Sequence, residues 1–302
     1  MSVNPVLLEL PDLVSLKEQA ESLSLPTNQN YSLTGFGDKK SPFRSRGLDF
    51  QEVRVYQPGD DIRQIDWHVT AKYGKPFTKL YTEEKERTIF FVVDLRTNMH
   101  FATHGDFKSV IAARIASFMA FIAEHQKDKI GYIVLTDDAL LSSGEAETTG
   151  LSPLLNTLVH PHSNKKKASW PAAIRLLNQF LPVGAFVFFL SDFHDWQESD
   201  TVLLTPLSEK NTFVFCSIYD QLEADLPEGI LPFSDGQDSI IVNTQSDKTR
   251  QKFHEEWQTH QELLQKVAHK YEWGFLPIST NSDYLDILTR FCFGRGEHDA
   301  RN

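Results

Sequence analysis

The stretch Thr88-Ile89-Phe90-Phe91-Val92-Val93 is apolar at almost every position and is followed by Asp94. Its length fits one strand, and the absence of alternation predicts a strand buried on both faces, as in a parallel sheet. Three similar runs follow, each ending close to a carboxylate: Ile130–Leu135 near Asp137, Ala185–Leu190 before Ser191-Asp192, and Phe213–Ile218 near Asp220.

Helical patterns lie between and after these runs. In Asp106–His125 the apolar residues recur at helical spacing, and Asp106 is the expected N-cap. Further helices are predicted at Trp170–Phe180, at about residues 201–207, at Asp247–Tyr271 and at Tyr284–Phe293. The apolar side of the third of these helices consists of Phe253, Trp257, Leu264, Val267 and Tyr271. A strand is predicted at Gly274–Ile278, and a hairpin at Ile230–Val242 that turns at Asp235-Gly236. Strands alternating with helices predict a doubly wound α/β fold with a mostly parallel sheet flanked by helices.

The first third of the chain has a different character. Roughly residues 5–25 suggest a helix, residues 27–46 a polar loop, and residues 49–56 a strand before the turn Gln57-Pro58-Gly59-Asp60-Asp61. We therefore predict a smaller N-terminal α+β region, residues 1–87, and a main domain, residues 88–302, with a hairpin insertion near residues 230–243.

Composition narrows the function classes. The 302 residues carry a net charge of −11, which argues against nucleic-acid binding, because that relies on Lys and Arg. No apolar run reaches the length of about 18 residues that a membrane helix needs, and the N-terminus lacks a signal-peptide pattern. The only cysteines, Cys216 and Cys292, lie in apolar segments, which fits a reducing compartment. We expect a soluble, cytoplasmic protein without membrane insertion.

Two aspartates mark the candidate site. Asp94 and Asp192 follow strands, and ligands of open α/β sheets bind beyond the carboxyl ends of strands where strand order reverses. If the two strands are neighbours, the carboxylates converge and could hold Mg²⁺. The alternative is that both aspartates cap turns or helices.

Sequence motifs for catalysis are incomplete. Gly35–Ser41 lacks the second glycine of a phosphate loop, and no Gly-x-Ser-x-Gly elbow is present. His254 and His260 are six residues apart and so lie on different faces of a helix, which excludes a zinc-protease helix. We therefore predict no catalytic residue and no enzyme activity.

The segment Arg44–Tyr81 interleaves charged with apolar residues. It fits a docking surface or a compact subdomain whose charges pair with one another and with turn amides. We favour the subdomain, and we expect Trp67 to be packed and Asp66 to accept hydrogen bonds from backbone or from Arg.

Three parts of this segment, Ser45–Phe50, Arg54–Trp67 and Thr70–Lys72, are similar to the signature of the bacterial "domain of unknown function 58" family. The residues that carry the resemblance, which we interpret as structural, are Arg46, Gly47, Arg54, Tyr56, Gly59, Asp60, Asp61, Arg63, Asp66 and Trp67. The resemblance implies a von Willebrand factor A-like domain after the signature. It also implies a partnership with a MoxR-type AAA ATPase in maturing or regulating other proteins.

The same resemblance implies a metal-ion-dependent adhesion site, Asp-x-Ser-x-Ser. This chain has Asp94-Leu95-Arg96-Thr97-Asn98, in which Arg96 and Asn98 replace both serines. The implied ligands are Asp94, Asn98 and Asp192, and the charge of Arg96 predicts weak Mg²⁺ binding or none. Otherwise no cofactor is expected.

We predict that Asp94, Arg96, Asn98 and Asp192 form a partner-binding surface of an interaction module. Arg96 would offer its planar fork to a partner carboxylate, or else pair internally with Asp94 or Asp192. Two other functions stay open: a metal-assisted hydrolase using Asp94 and Asp192, and a structural homo-oligomer.

Overall fold

The N-terminal elements form a short helix pair and a small two-stranded sheet. The computed structural model describes residues 8–22, 49–57, 60, 62–82, 87–143, 150–234 and 239–293. The first elements are α1 (Leu10–Val14), α2 (Leu16–Ser22), β1 (Asp49–Val55), a 3-10 turn (Ile62–Gln64), α3 (Trp67–Tyr73) and β2 (Phe77–Thr82). Strands β1 and β2 pair antiparallel and form a sheet of their own. We call residues 49–82 the signature module.

Six of the remaining strands form the central sheet. The eight described strands after β2 are β3 (Thr88–Asp94), β4 (Lys129–Leu135), β5 (Leu140–Ser142), β6 (Phe186–Ser191), β7 (Thr212–Tyr219), β8 (Ile230–Ser234), β9 (Ser239–Asn243) and β10 (Gly274–Ser279). The sheet order is β10-β7-β6-β3-β4-β5, and only β5 runs antiparallel to its neighbour. Strands β8 and β9 form the expected hairpin, whose turn at Asp235-Gly236 lies outside the described residues.

Helices cover both faces of the central sheet. They are α4 (Lys108–His125), α5 (Leu151–Val159), α6 (Trp170–Phe180), α7 (Glu198–Ser208), α8 (Gln221–Ala224), α9 (Asp247–Lys270) and α10 (Tyr284–Phe293). One core cluster holds residues of α1, α2, α4, α5 and α10, and the other holds residues of α6, α7 and α9. The prediction of a mixed α/β fold with a mostly parallel sheet flanked by helices is confirmed.

Strand β3 shows why its sequence is apolar throughout. Ile89, Phe91 and Val93 belong to the first core cluster, whereas Phe90 and Val92 belong to the second. Successive side chains of a strand point to opposite faces, so both faces are covered. In the neighbouring strand, a Cβ at Gly131 would lie 2.4 Å from the ring of Phe90, which explains the glycine in an otherwise apolar run.

Several details differ from the sequence-based expectations. The helix expected over residues 5–25 is two helices, and the Ser15 hydroxyl at their junction donates to the backbone oxygen of Asp12 at 2.7 Å, a bond that competes with helical pairing. Asp106 is not the N-cap of α4: that position is Phe107, and Asp106 pairs with Arg114.

Two further properties bear on the predicted organisation. Leu13, Leu16 and Ala20 of α1 and α2 pack in the same core cluster as α4, and the domain boundary at residue 87 stays a prediction. Both cysteines are buried in that cluster, and neither forms a disulfide. None of the described helices has the length and apolarity to cross a membrane.

Candidate functional site

Asp94 and Asp192 lie at the ends of adjacent strands. Strand β3 pairs with β4 on one side and with β6 on the other, so strand order reverses between β3 and β6. The Ser191 hydroxyl donates to Asp94 Oδ2 at 2.7 Å, and Asn98 Nδ2 donates to Asp192 Oδ1 at 2.9 Å. The structure therefore brings Asp94, Asn98 and Asp192 together at the switch point, where ligands of such sheets bind.

Arg96 is an internal clamp. Its Nε and Nη2 donate to the two oxygens of buried Asp94 at 2.9 and 2.8 Å. Its Nη1 and Nη2 donate to Asp195 at 2.6 and 2.9 Å. Four of the five guanidinium N–H groups are thus engaged. Of the two roles considered for Arg96, the structure shows the internal pair, with Asp195 rather than Asp192 as the second carboxylate.

Trp170 completes this network. Its Nε1 donates to Asp195 Oδ1 at 2.9 Å, and its ring lies 5.5 Å from the guanidinium carbon of Arg96. Burial alone would lower the pKa of Arg96, but the hydrogen bonds and charges of Asp94 and Asp195 raise it. Arg96 therefore keeps its charge although it is buried.

Asp192 has a cation of its own. The Nζ of Lys108, at the start of α4, is buried and donates to Asp192 Oδ2 at 2.8 Å and to Glu223 Oε1 at 2.6 Å. Burial would lower the pKa of Lys108, but the charges of the two carboxylates outweigh it and raise the pKa. The ammonium form is therefore held at neutral pH.

The site does not fit Mg²⁺. Mg²⁺ needs carboxylate oxygens that are free to coordinate it. Both oxygens of Asp94 already accept hydrogen bonds from Arg96, and Asp192 accepts one from Lys108. The two cationic side chains therefore neutralise the carboxylates that a metal ion would otherwise bind. Among the described residues no group of three or more His, Cys, Asp or Glu side chains is arranged to hold a metal ion.

Three charged residues of the signature module have local partners: Arg54, Asp60 and Asp66. Asp66 is the N-cap of α3 and accepts from the backbone N–H groups of His68 and Val69 at 3.0 and 3.2 Å. Asp60 accepts from the backbone of Gln57 at 2.9 Å and from Arg54 at 2.7 Å, and these interactions lower its pKa despite the opposing effect of desolvation.

Two other described signature residues, Tyr56 and Arg63, differ in their exposure to solvent. Tyr56 is half-buried and its backbone N–H donates to Pro76 O at 2.8 Å, whereas Arg63 is exposed in the middle of the 3-10 turn. Arg46, Gly47, Gly59 and Asp61 lie outside the described residues.

The prediction that Trp67 is packed is wrong. Trp67 is the first residue of α3 and is 67% exposed. Ile62 and Tyr73 nearby in the module are 64% and 63% exposed. The physical reason is size, because the described part of the module, two strands, a 3-10 turn and one seven-residue helix, is too small to enclose an indole.

Sequence reasoning missed four residues of the site: Lys108, Trp170, Ser191 and Asp195. Lys108 had a detectable signal, since it is a cation in the first turn of a helix that continues with the apolar run Val110–Ala113. Asp195 had none, because its role depends on Arg96, 99 positions away in the sequence.

The fold and site define a mixed α/β protein that pairs a parallel sheet with a small signature module. The chain belongs to the family described as "Protein of unknown function DUF58", whose model matches residues 52–263. Uncharacterized proteins of Mycobacterium bovis and Mycobacterium tuberculosis are 23% identical over 291 residues, covering 91% of this chain and 88% of theirs. The crystal structure of the conserved hypothetical protein BatB from Bacteroides thetaiotaomicron aligns with a TM-score of 0.41 and 14% identity, covering 68% of this chain and 98% of that chain.

Proposed function

We propose that the protein is an interaction module, an adaptor that acts with a MoxR-type AAA ATPase in the maturation or regulation of other proteins. Its main domain is in this proposal von Willebrand factor A-like. The observation that carries the proposal is the exposure of three large apolar side chains in one small module, Ile62, Trp67 and Tyr73, which together we call the Trp67 patch. Exposed tryptophan and tyrosine side chains are typical of protein-binding surfaces.

The small size of the signature module supports this interpretation. All seven residues of α3 are half-buried or exposed. No residue of the module whose side chain is described belongs to either core cluster. Isolated two-stranded sheets are only marginally stable in water, so a partner that covers the Trp67 patch would stabilise the module as it binds.

The chemistry of the patch indicates what kind of surface covers it. Lys72 Nζ lies 5.6 Å from the ring centroid of Tyr73. The patch therefore combines aromatic faces with positive charge, although the chain as a whole carries −11. An apolar partner surface with acidic residues at its rim is complementary.

The carboxyl edge of the sheet is the second contact surface in this proposal. Asp94 and Arg96 are buried, so they position the edge, while half-exposed Asn98 and Asp195 are available for contact. The hydrolase alternative loses support, because Asp94 and Asp192 are both bound to internal cations and neither is free to act as a base.

A pull-down experiment tests the proposal. The full-length chain, immobilised, is expected to retain the MoxR-type ATPase of its own organism, and Trp67→Ala is expected to lose most of that retention. Val183→Ala is the matched control, because Val183 is 75% exposed outside the module. Undiminished retention by Trp67→Ala would contradict the proposal. Self-association that disappears in Trp67→Ala, measured by sedimentation, would instead favour the homo-oligomer.

A further inference from the structure

A cleft opens beside Asp192, on the side of the sheet edge away from Arg96. Its volume is about 330 Å³, and its lining includes Asp192, Tyr219, Glu223, Phe253, Glu256 and Trp257. Asp192 follows β6 and Tyr219 ends β7, so the floor is formed by the carboxyl ends of two neighbouring strands. This volume lies at the lower end of the range for sites that bind small groups.

Helix α9 forms the aromatic wall of the cleft. The C-terminal half of its apolar side, with Leu264 and Ala268, is buried in the core. The N-terminal half, with Phe253 and Trp257, extends beyond the sheet and lines the cleft instead. The ring of Trp257 lies 5.2 Å from that of Tyr219, centroid to centroid. The helix is fixed against α8 by His254, whose Nδ1 lies 2.7 Å from the backbone oxygen of Ala224.

The cleft carries excess negative charge. Lys108 is shared by Asp192 and Glu223, so one cation faces two carboxylates and one negative charge remains. Glu256 at the rim adds a carboxylate whose pairing with Lys252 is loose, at 3.7 Å between two exposed side chains. Burial lowers the pKa of His260 in the cleft wall, so this ring adds no opposing charge at neutral pH.

From this geometry we infer that the cleft binds an arginine side chain of a protein partner. A guanidinium group is planar, stacks on aromatic faces and donates to carboxylates in the same plane. Trp257 and Tyr219 offer the faces, and Glu256 offers the carboxylate. The net charge of −11 favours approach of a basic segment. The inference rests on the proposed function in one respect, which is that the arginine belongs to a protein partner.

A peptide titration tests the inference without any ATPase. The titration can therefore fail while the pull-down succeeds, and the pull-down can fail while the titration succeeds. The probe is acetyl-Gly-Arg-Gly-amide at low ionic strength, followed by the NMR signal of the Trp257 indole N–H in the full-length chain. Trp257→Phe assigns that signal. We expect a saturable shift with the arginine peptide, and none with the citrulline peptide, which has nearly the same shape and no charge.

Two substitutions on α9 separate local from general electrostatics. Glu256→Gln is expected to weaken binding about tenfold, as loss of a charged hydrogen-bond partner does. Glu255→Gln removes the same charge from an adjacent position that does not line the cleft, where Glu255 accepts from Gln251, and is expected to leave binding within about twofold.

Three results would overturn the inference. They are equal binding of the citrulline and arginine peptides, no shift of Trp257 at saturating arginine peptide, and equal weakening by Glu255→Gln and Glu256→Gln. Tighter binding of a glutamate peptide than of the arginine peptide would reverse the assigned charge of the ligand and also overturn it.

Discussion

Two tryptophans begin helices in two regions of the molecule, and they have opposite environments. Trp170 is the first residue of α6, and Trp67 is the first residue of α3. Trp170 is 1% exposed and stacks on Phe193 with ring centroids 5.5 Å apart, whereas Trp67 is mostly exposed. Helix α6 lies on a six-stranded sheet and α3 on a two-stranded one. The size of the sheet beneath the helix, rather than the residue type or its place in the helix, decides whether the indole stabilises the fold or is left for a partner.

The largest effect is expected at Trp170. Trp170→Ala removes a buried indole together with its hydrogen bond to Asp195, so the free energy of unfolding should fall by about 4 kcal/mol. Equilibrium denaturation in urea measures it. Trp170→Phe keeps ring packing and should lose less than half as much. A loss below about 1 kcal/mol for the alanine variant would show that the two tryptophans are more alike than their burial indicates.

Arg96→Ala is expected to rank next. It leaves buried Asp94 facing Asp195 without a cation, and breaking such a pair costs about 3 kcal/mol. Arg96→Lys keeps the positive charge but cannot form the forked contacts to both carboxylates. Its stability should therefore lie between that of the unsubstituted protein and that of Arg96→Ala. If stability is unchanged while ATPase retention is lost, Arg96 is a contact residue and the internal clamp is unimportant.

A smaller, pH-dependent effect is expected at Asp195. Burial raises its pKa, but hydrogen bonds and charge from Arg96, with the indole of Trp170, lower it overall. Because the folded-state pKa lies below the unfolded value, the stabilisation is present above about pH 4 and is lost as the pH falls through the folded pKa. The stability advantage over Asp195→Asn should therefore shrink in acid. Urea denaturation of the two proteins at a series of pH values measures it.

At Trp67 the expected change in stability is close to nil. Trp67→Ala should alter the free energy of unfolding by no more than about 0.5 kcal/mol, because exposed side chains contribute little to folding. The urea experiment used for Trp170 measures both variants side by side. A loss of several kcal/mol at Trp67 would mean that the signature module depends on this ring for folding, and it would break the comparison.

No effect is expected from Mg²⁺. Since internal cations occupy the carboxylates at the switch point, adding millimolar Mg²⁺ should leave the thermal midpoint unchanged and give no saturable heat in a calorimetric titration. Sub-micromolar binding that Asp94→Ala abolishes would show that Arg96 moves away from Asp94 in solution.

The sequence predicted the main sheet well because burial on both faces has a local signature. β3, α6 and α10 were predicted within one residue of their observed bounds. The exposure of Trp67 could not be predicted, since it depends on how few strands pair beneath α3. The convergence of Asp94 with Asp192 follows from strand order, and the pairing of Arg96 with Asp94, two residues away, was one of the alternatives considered. The bonds from Arg96 to Asp195 and from Lys108 to Asp192 span 99 and 84 positions of the sequence, and no local pattern indicates them.

The buried cysteines give the chain a built-in probe of local unfolding. Cys216 lies on β7 and Cys292 on α10, and burial raises the pKa of both thiols. Because only the exposed thiolate reacts with alkylating reagents, neither cysteine can be labelled while α10 covers the sheet. The labelling rate of each thiol therefore reports how often the structure around it opens to solvent. The order of modification tells whether α10 detaches alone or only together with β7.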